Sequence, residues 1–219
     1  MARPAARHRH QTPTFFHSGT SLKIGLVGGS FNPAHDGHIH VARETRRRLR
    51  LDQIWWLVTP QNPLKSTDDM APLTKRLADA RKIAAPHPFL RVLAPELDLP
   101  QNYTINTLKF LKKMLPRARL VWIMGADNLT QLTRWHRYQE MIRLLPIAVI
   151  DRPSYSLLAM ATGQQLFKRR YRAAELRQAL RQTAGKLSGW CFIAGPKHQA
   201  SASAIRAKMS GIADLDKRD

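Results

Sequence analysis

KIGLVGGSFNPAHDGH, residues 23–38, carries more structural information than any other part of this chain. The apolar run at 23–27 predicts a short buried strand. A glycine-containing loop follows at 28–37, and residues 37–49 have a helical composition. The stretch therefore predicts a strand that leads through a tight loop into a helix.

The same alternation of apolar runs and helical segments continues along the chain. Further strands are predicted at 54–59, 89–93, 120–124, 147–150 and 190–193, and further helices at 73–85, 104–115, 127–145 (broken near Arg134), 171–183 and 203–209. Strands that alternate with helices favour right-handed crossovers and a parallel sheet with helices on both faces. We therefore expect a single α/β domain with a doubly wound, Rossmann-like sheet, whose ligands bind beyond the carboxyl ends of the strands.

The ends of the chain differ in composition from this domain. Residues 1–21 form a basic segment without apolar periodicity, which predicts a flexible tail; its lack of acids also fits a transit peptide, although it shows no amphipathic repeat. We expect the domain to occupy 22–210 and a second tail to occupy 211–219.

Composition restricts the class of protein. The apolar fraction of 43% is normal for a globular domain, and no apolar run is long enough to span a membrane. Cys191 is the single cysteine, so an intrachain disulfide and a cysteine-based zinc site are both excluded; its apolar neighbours predict a core thiol in a reducing compartment, the cytoplasm. The net charge of +21 predicts attraction to nucleic acid, anionic membranes or phosphorylated metabolites without choosing among them.

The loop at 28–37 has the chemistry of a phosphate site. Its glycines permit a tight turn in which backbone N–H groups approach an anion, and the helix that follows directs the positive end of its dipole to the same place. His35 and His38 straddle the helix start, where each imidazole can donate a hydrogen bond to phosphate. Two other interpretations are a turn with surface histidines and a metal pair. No third ligand has zinc spacing, so we expect no protein metal site.

The segment Gly28–His38 resembles the G-x-F-x-P-x-H-x-G-H signature of the nucleotidyltransferase superfamily and, within it, the bacterial nicotinate-nucleotide adenylyltransferases. The resemblance extends over about residues 23–209 through PQNPLK at 60–65, NYT at 102–104, MGADN at 124–128, Trp135, DRP at 151–153 and SASAIR at 201–206. The last motif departs from the family pattern, because Ala200, Ala202 and Ser203 replace Ile, Ser and Thr.

This resemblance implies transfer of AMP from ATP to nicotinate mononucleotide in NAD biosynthesis, which gives nicotinate adenine dinucleotide and pyrophosphate. The acceptor phosphate is already an anionic nucleophile, so catalysis requires positioning and charge stabilisation rather than a strong base. Mg²⁺ is expected to enter with ATP and bridge its phosphates.

The resemblance also implies the residues of the site. The catalytic residues are His35, His38 and Arg206. The residues that bind ATP are Gly28, Gly29, Ser30, Phe31, Gly125, Asp127, Ser201, Ser203, Ile205 and Arg206. The residues that bind nicotinate mononucleotide are Ser30, Phe31, Lys65, Tyr103, Thr104, Trp135, His136 and Arg152. Simpler interpretations stay open: a solvated Lys65, helix capping by Asp127 or by the serines of 199–203, a core Trp135, and a capping or ion-paired Arg152.

Three other functions compete with this one. Another adenylyl- or cytidylyltransferase of the superfamily is the first, although phosphopantetheine adenylyltransferases usually have Thr where His35 stands. A relative of class I aminoacyl-tRNA synthetases is the second, on the strength of Lys208-Met209-Ser210. A basic protein that binds nucleic acid or a membrane surface is the third. We expect small-molecule substrates, no specific nucleic acid, no membrane insertion, and a monomer or homo-oligomer.

Overall fold

The computed structural model describes residues 21–60, 70–95, 103–182 and 187–195. Within these residues seven strands form one sheet: β1 (Lys23–Gly29), β2 (Gln53–Val58), β3 (Leu90–Leu93), β4 (Arg119–Gly125), β5 (Ile147–Ile150), β6 (Arg170–Tyr171) and β7 (Trp190–Ile193). The helices are α1 (Asp36–Leu49), α2 (Leu73–Ala84), α3 (Thr104–Met114), α4 (Ala126–Leu129), α5 (Tyr138–Leu144), α6 (Ser156–Leu166) and α7 (Ala173–Gln182), with a 3₁₀ turn at Leu132–Arg134.

All neighbouring strands are parallel, in the order β3-β2-β1-β4-β5-β7-β6. From β1 the chain first moves outward to β2 and β3, and then returns to place β4 on the other side of β1, where Leu26 lies opposite Trp122. This reversal opens a crevice at the carboxyl ends of β1 and β4. The predicted doubly wound α/β fold is therefore confirmed.

Two apolar cores hold the sheet. Alternate residues of the central strands point to opposite faces, so that in β2 Trp56 lies in the core with α1, α2 and α7, whereas Leu57 lies in the core with α3, α4, α5 and α6. Because both faces are covered, the strands are continuous apolar runs, as the sequence indicated. Cys191 lies fully buried in the first core, and burial raises the pKa of its thiol to about 12.

The region between β4 and β5 is broken more severely than the sequence predicted. A helix over 127–145 with a break near Arg134 was expected, but Trp135 is extended and Arg137 has a left-handed backbone with φ of 53°. Two short helices and a 3₁₀ turn result, because neither backbone conformation continues an α-helix.

Two elements after β5 were not predicted. Helix α6 has no charged residue and little helical amphipathicity, and its Leu157 and Leu158 are exposed. The two-residue strand β6 pairs with β7 at the edge of the sheet and includes Tyr171, which was expected to begin a helix. The predicted helix at 203–209 and the two predicted tails lie outside the described residues. No helix in the described part is long and apolar enough to cross a membrane.

Candidate active site

The loop after β1 is shaped by close packing against the neighbouring strand. A side-chain carbon on Gly28 would lie 2.4 Å from Cη2 of Trp122, so only glycine fits at this position. Three residues later Phe31 has a left-handed backbone with φ of 48°. Successive N–H groups around such a residue can face one concave side and bind an anion. The local backbone thus agrees with the predicted phosphate loop.

The two histidines cap the helix that follows this loop. His35 is the N-cap of α1, and its Nδ1 accepts the Gly37 N–H at 3.1 Å. Nδ1 of His38 accepts the His35 N–H at 3.2 Å. A neutral imidazole that accepts at Nδ1 carries its proton on Nε2, so both rings are assigned the tautomer that donates from Nε2. His35 is buried and His38 half-buried, so they are not simple surface histidines.

Aromatic rings pack against the imidazole of His38. The rings of His35 and His38 have centroids 4.0 Å apart, and Phe31 lies 4.7 Å from His38. Phe31 in turn stacks at 5.0 Å on Trp56, which is fully buried. Because these rings are packed on a rigid strand, the His38 imidazole is held in a defined orientation.

Asp127 and Arg152 meet at the carboxyl ends of β4 and β5. Nε of Arg152 lies 3.8 Å from Oδ1 of Asp127, and neither of these two buried atoms has a hydrogen-bond partner in the part of the chain that the structure describes. Gly125 is the N-cap of α4, so the Asp127 side chain does not cap that helix. A side-chain carbon on Gly125 would lie 2.2 Å from Oδ1 of Asp127. Within the described residues, the geometry therefore leaves Oδ1 of Asp127 and Nε of Arg152 without hydrogen bonds beside the crevice.

A second aromatic group lies where α3 begins. Tyr103 is the N-cap of α3 and Thr104 its first residue, and the Tyr103 ring stacks on that of His136 at 4.2 Å. Trp135 is half-buried and meets the buried Trp122 edge to face at 6.3 Å. Trp135 is thus partly accessible rather than plain core, and Trp122 joins this aromatic group to the packing at Gly28.

An ion-pair network lies beside the segment that carries Trp135. Glu140 of α5 pairs with Lys109 of α3 and, at 2.7 Å, with Arg137. The hydrogen bond from Lys109 is the main cause that lowers the pKa of Glu140, with Arg137 adding to it. These exposed pairs contribute little stability individually, but together they link the start of α5 to α3.

Sequence reasoning missed one buried cation next to the loop. Arg76 lies on the same buried face of α2 as Ala80 and Ala84, and it hydrogen-bonds the backbone of the loop after β1. The sequence signal that could have identified it is the helical spacing of Arg76 with two small apolar residues, Ala80 and Ala84. The predicted site residues Lys65, Ser201, Ser203, Ile205 and Arg206 lie outside the described residues. In the described part no group of three or more His, Cys, Asp or Glu side chains could hold a metal ion.

Residues 26–208 match the family model described as cytidylyltransferase-like. The chain belongs to this family. Within the family it is 45% identical over 190 residues to a probable nicotinate-nucleotide adenylyltransferase of Methylorubrum extorquens (strain PA1), covering 85% of this chain and all of that protein. It is 44% identical over 192 residues to the protein of the same name from Rhizobium johnstonii, covering 87% of this chain and 94% of that one.

Solved structures agree with the family fold. The Plasmodium falciparum nicotinic acid mononucleotide adenylyltransferase complexed with NaAD superposes with a TM-score of 0.63 at 16% identity, covering 85% of this chain and 83% of that one. At this identity the likeness shows the shared fold. The resemblance to nicotinate-nucleotide adenylyltransferases that the motifs indicated is confirmed by the relatives.

Proposed function

We propose that this chain transfers AMP from ATP to nicotinate mononucleotide, releasing pyrophosphate and forming nicotinate adenine dinucleotide for NAD biosynthesis. The observation that carries the proposal is the pair of imidazoles at the start of α1. Each accepts a backbone N–H at Nδ1 and is thereby assigned an Nε2–H donor beside the phosphate loop. Relatives that are 41–45% identical and carry the name of this activity support the acceptor.

The reaction is an in-line displacement at the α-phosphorus of ATP. An oxygen of the acceptor phosphate forms the new bond to the α-phosphorus, and the bond from that phosphorus to the bridging oxygen of the β-phosphate breaks. Pyrophosphate leaves with the electron pair. Charge develops on the α-phosphate and the leaving group, where His35, His38 and Arg206 donate hydrogen bonds. No residue of the chain has to remove a proton from the nucleophile.

Mg²⁺ enters as part of the ATP substrate and neutralises charge on its phosphates. Since Mg²⁺ retains much of its water shell and is commonly held by substrate phosphates and one or two carboxylates, a dedicated protein cage is not required.

The adenosine half of ATP lies at Gly125 and Asp127. The Asp127 carboxylate accepts hydrogen bonds from the ribose hydroxyls, which satisfies its unpartnered Oδ1. Arg152 lies next to this carboxylate and donates to the bound nucleotide. Beyond the described residues, Ser201, Ser203 and Arg206 clamp the β- and γ-phosphates, and Ile205 contacts adenine.

The acceptor lies on the aromatic side of the crevice. The half-buried Trp135 stacks on the nicotinate ring, with Tyr103 beside it. Backbone amides at Thr104 and His136 bind the nicotinate carboxylate. Backbone N–H groups of Ser30 and Phe31, together with Lys65, bind the acceptor phosphate.

The substrates of the enzyme are small molecules. We place the enzyme in the cytoplasm because its single thiol, Cys191, is buried and unpaired, which suits a reducing compartment. It acts without specific nucleic acid, as a monomer or homo-oligomer.

The test is pyrophosphate release from ATP and Mg²⁺ with either nicotinate or nicotinamide mononucleotide, beside a His38→Ala control. We expect release with the acid far above the amide and its loss in the control. Absence of release with both acceptors would contradict the proposal and direct the search to phosphopantetheine, then cytidylyl acceptors, then nucleic acid.

A further inference from the structure

Arg76 is a buried cation whose partners among the described residues are backbone carbonyls. The residue is 2% exposed. Nε donates to the Ala71 carbonyl at 2.8 Å, Nη1 to those of Ser30 at 2.6 Å and Thr59 at 2.7 Å, and Nη2 to that of Pro60 at 2.7 Å. One guanidinium thus joins the loop after β1, the end of β2 and the entrance to α2.

Burial of this charge is unfavourable, and no acid among the described residues offsets it. The ion pairs of the described residues include none with Arg76. Desolvation lowers the pKa of Arg76, although a guanidinium stays protonated in proteins. A small apolar residue such as the neighbouring Ala80 would pack on the sheet without that cost. The guanidinium therefore has a role that apolar packing does not supply.

The hydrogen bond to Ser30 fixes the direction of one peptide group. The Ser30–Phe31 peptide is trans, so its N–H points away from its carbonyl. Because the carbonyl is held by Arg76, the Phe31 N–H is directed to the opposite side, away from α2. The positive charge also polarises this peptide and makes its N–H a stronger donor.

Other hydrogen bonds already hold the same segments together. The Thr59 N–H donates to the Gly29 carbonyl at 3.0 Å, and the Ala71 N–H donates to Oδ1 of Asn32 at 3.2 Å. Loss of Arg76 would therefore leave the loop attached to the sheet and to α2. What would be lost is the orientation of the peptide between these anchors.

We propose that Arg76 is a positioning residue, which sets the Ser30–Phe31 peptide so that the Phe31 N–H binds the acceptor phosphate. This inference rests on the proposed function, and it assigns a reason for a buried guanidinium that hydrogen-bonds backbone carbonyls.

The experiment compares Arg76→Met and Arg76→Lys with wild type. Methionine keeps an unbranched chain but has no donor, whereas lysine keeps the charge and fewer donors. Arg81→Met is the matched control, because Arg81 is exposed on the same helix. Rates with ATP and nicotinate mononucleotide are measured at a temperature at which circular dichroism shows every variant to be folded.

We expect kcat of Arg76→Met to fall about a hundredfold, as for a misplaced phosphate donor, while KM for ATP changes less than about threefold. Arg76→Lys should recover about tenfold of that loss, and Arg81→Met should match wild type. A purely structural role predicts a lower melting temperature with kcat within about threefold of wild type in the folded variants, and that result would overturn the proposal. If Arg76→Met does not fold, Arg76→Lys decides by the same criterion, with about a tenfold loss expected.

Binding of inorganic phosphate separates this proposal from the proposed function, because free phosphate stands in for the phosphate group of the acceptor. Calorimetry with inorganic phosphate as the probe should show weaker binding by Arg76→Met than by Arg81→Met, whether or not wild type accepts nicotinate mononucleotide. An inactive wild type that shows this difference contradicts the choice of acceptor and retains the role of Arg76. Equal binding by both variants, or none by wild type, overturns the role of Arg76.

Discussion

Replacing His38 by Asn separates the two roles of this imidazole. Nδ1 of His38 accepts the His35 N–H at 3.2 Å, and Oδ1 of an asparagine occupies nearly the same position. The cap of α1 is then retained, whereas the Nε2–H donor is lost. His38→Ala removes both, since alanine offers neither an acceptor nor a donor.

The expected magnitudes follow from these atoms. Loss of one donor at a phosphate that gains charge in the transition state costs roughly 3–4 kcal/mol, so kcat should fall about a hundred- to a thousandfold in both variants. Loss of a cap costs about 0.5–2 kcal/mol of unfolding free energy, which only His38→Ala should show.

The assay combines pyrophosphate release with urea unfolding of the same preparations. His38→Asn should unfold at a urea concentration close to that of wild type while its kcat is strongly reduced. If His38→Asn kept kcat within about threefold of wild type, the donor role of Nε2 would be refuted and His38 would be a capping residue alone.

Three further perturbations test the rest of the site and the core. Gly125→Ala forces a methyl group against the Asp127 carboxylate, which lies 2.2 Å from the added carbon, so steady-state kinetics should show KM for ATP raised about tenfold, as expected for loss of a charge-assisted hydrogen bond. Trp135→Ala removes the proposed stacking surface, so KM for nicotinate mononucleotide should rise about tenfold or more while KM for ATP is nearly unchanged; equal effects on both would contradict the assignment. Cys191 is buried with a pKa of about 12, so a thiol reagent at pH 8 should label it in denaturant but not in the folded protein, as mass spectrometry would detect.

The sequence predicted those features that depend on local pattern. Apolar runs located six of the strands of the described sheet, and the run at 147–150 agrees with β5 at both ends. The glycine loop and the two histidines were also recognised, because strand, turn and helix N-terminus are contiguous there. Their tautomers were not, since these depend on which backbone N–H each Nδ1 accepts.

Features that depend on tertiary contacts were missed. Arg137 has a left-handed backbone conformation and forms an ion pair with Glu140. Nothing in the residue type of Arg137 requires that conformation. Helix α6 lacks a polar face, so its sequence shows no helical period. Arg76 was not singled out, because its four carbonyl partners come from three separate segments of the chain.

While the chain is being synthesised, β1 spends a long interval with one edge unpaired. β2, its neighbour on one side, follows after α1, but β4, its neighbour on the other side, leaves the ribosome only after α2, β3 and α3 as well. The crevice for the nucleotide lies between β1 and β4, so a nascent chain that stops before Arg119 has the phosphate loop without the wall opposite it. We expect β4 to complete the centre of the sheet about midway through translation, whereas ATP binding should begin only after Ser201, Ser203 and Arg206 have been synthesised.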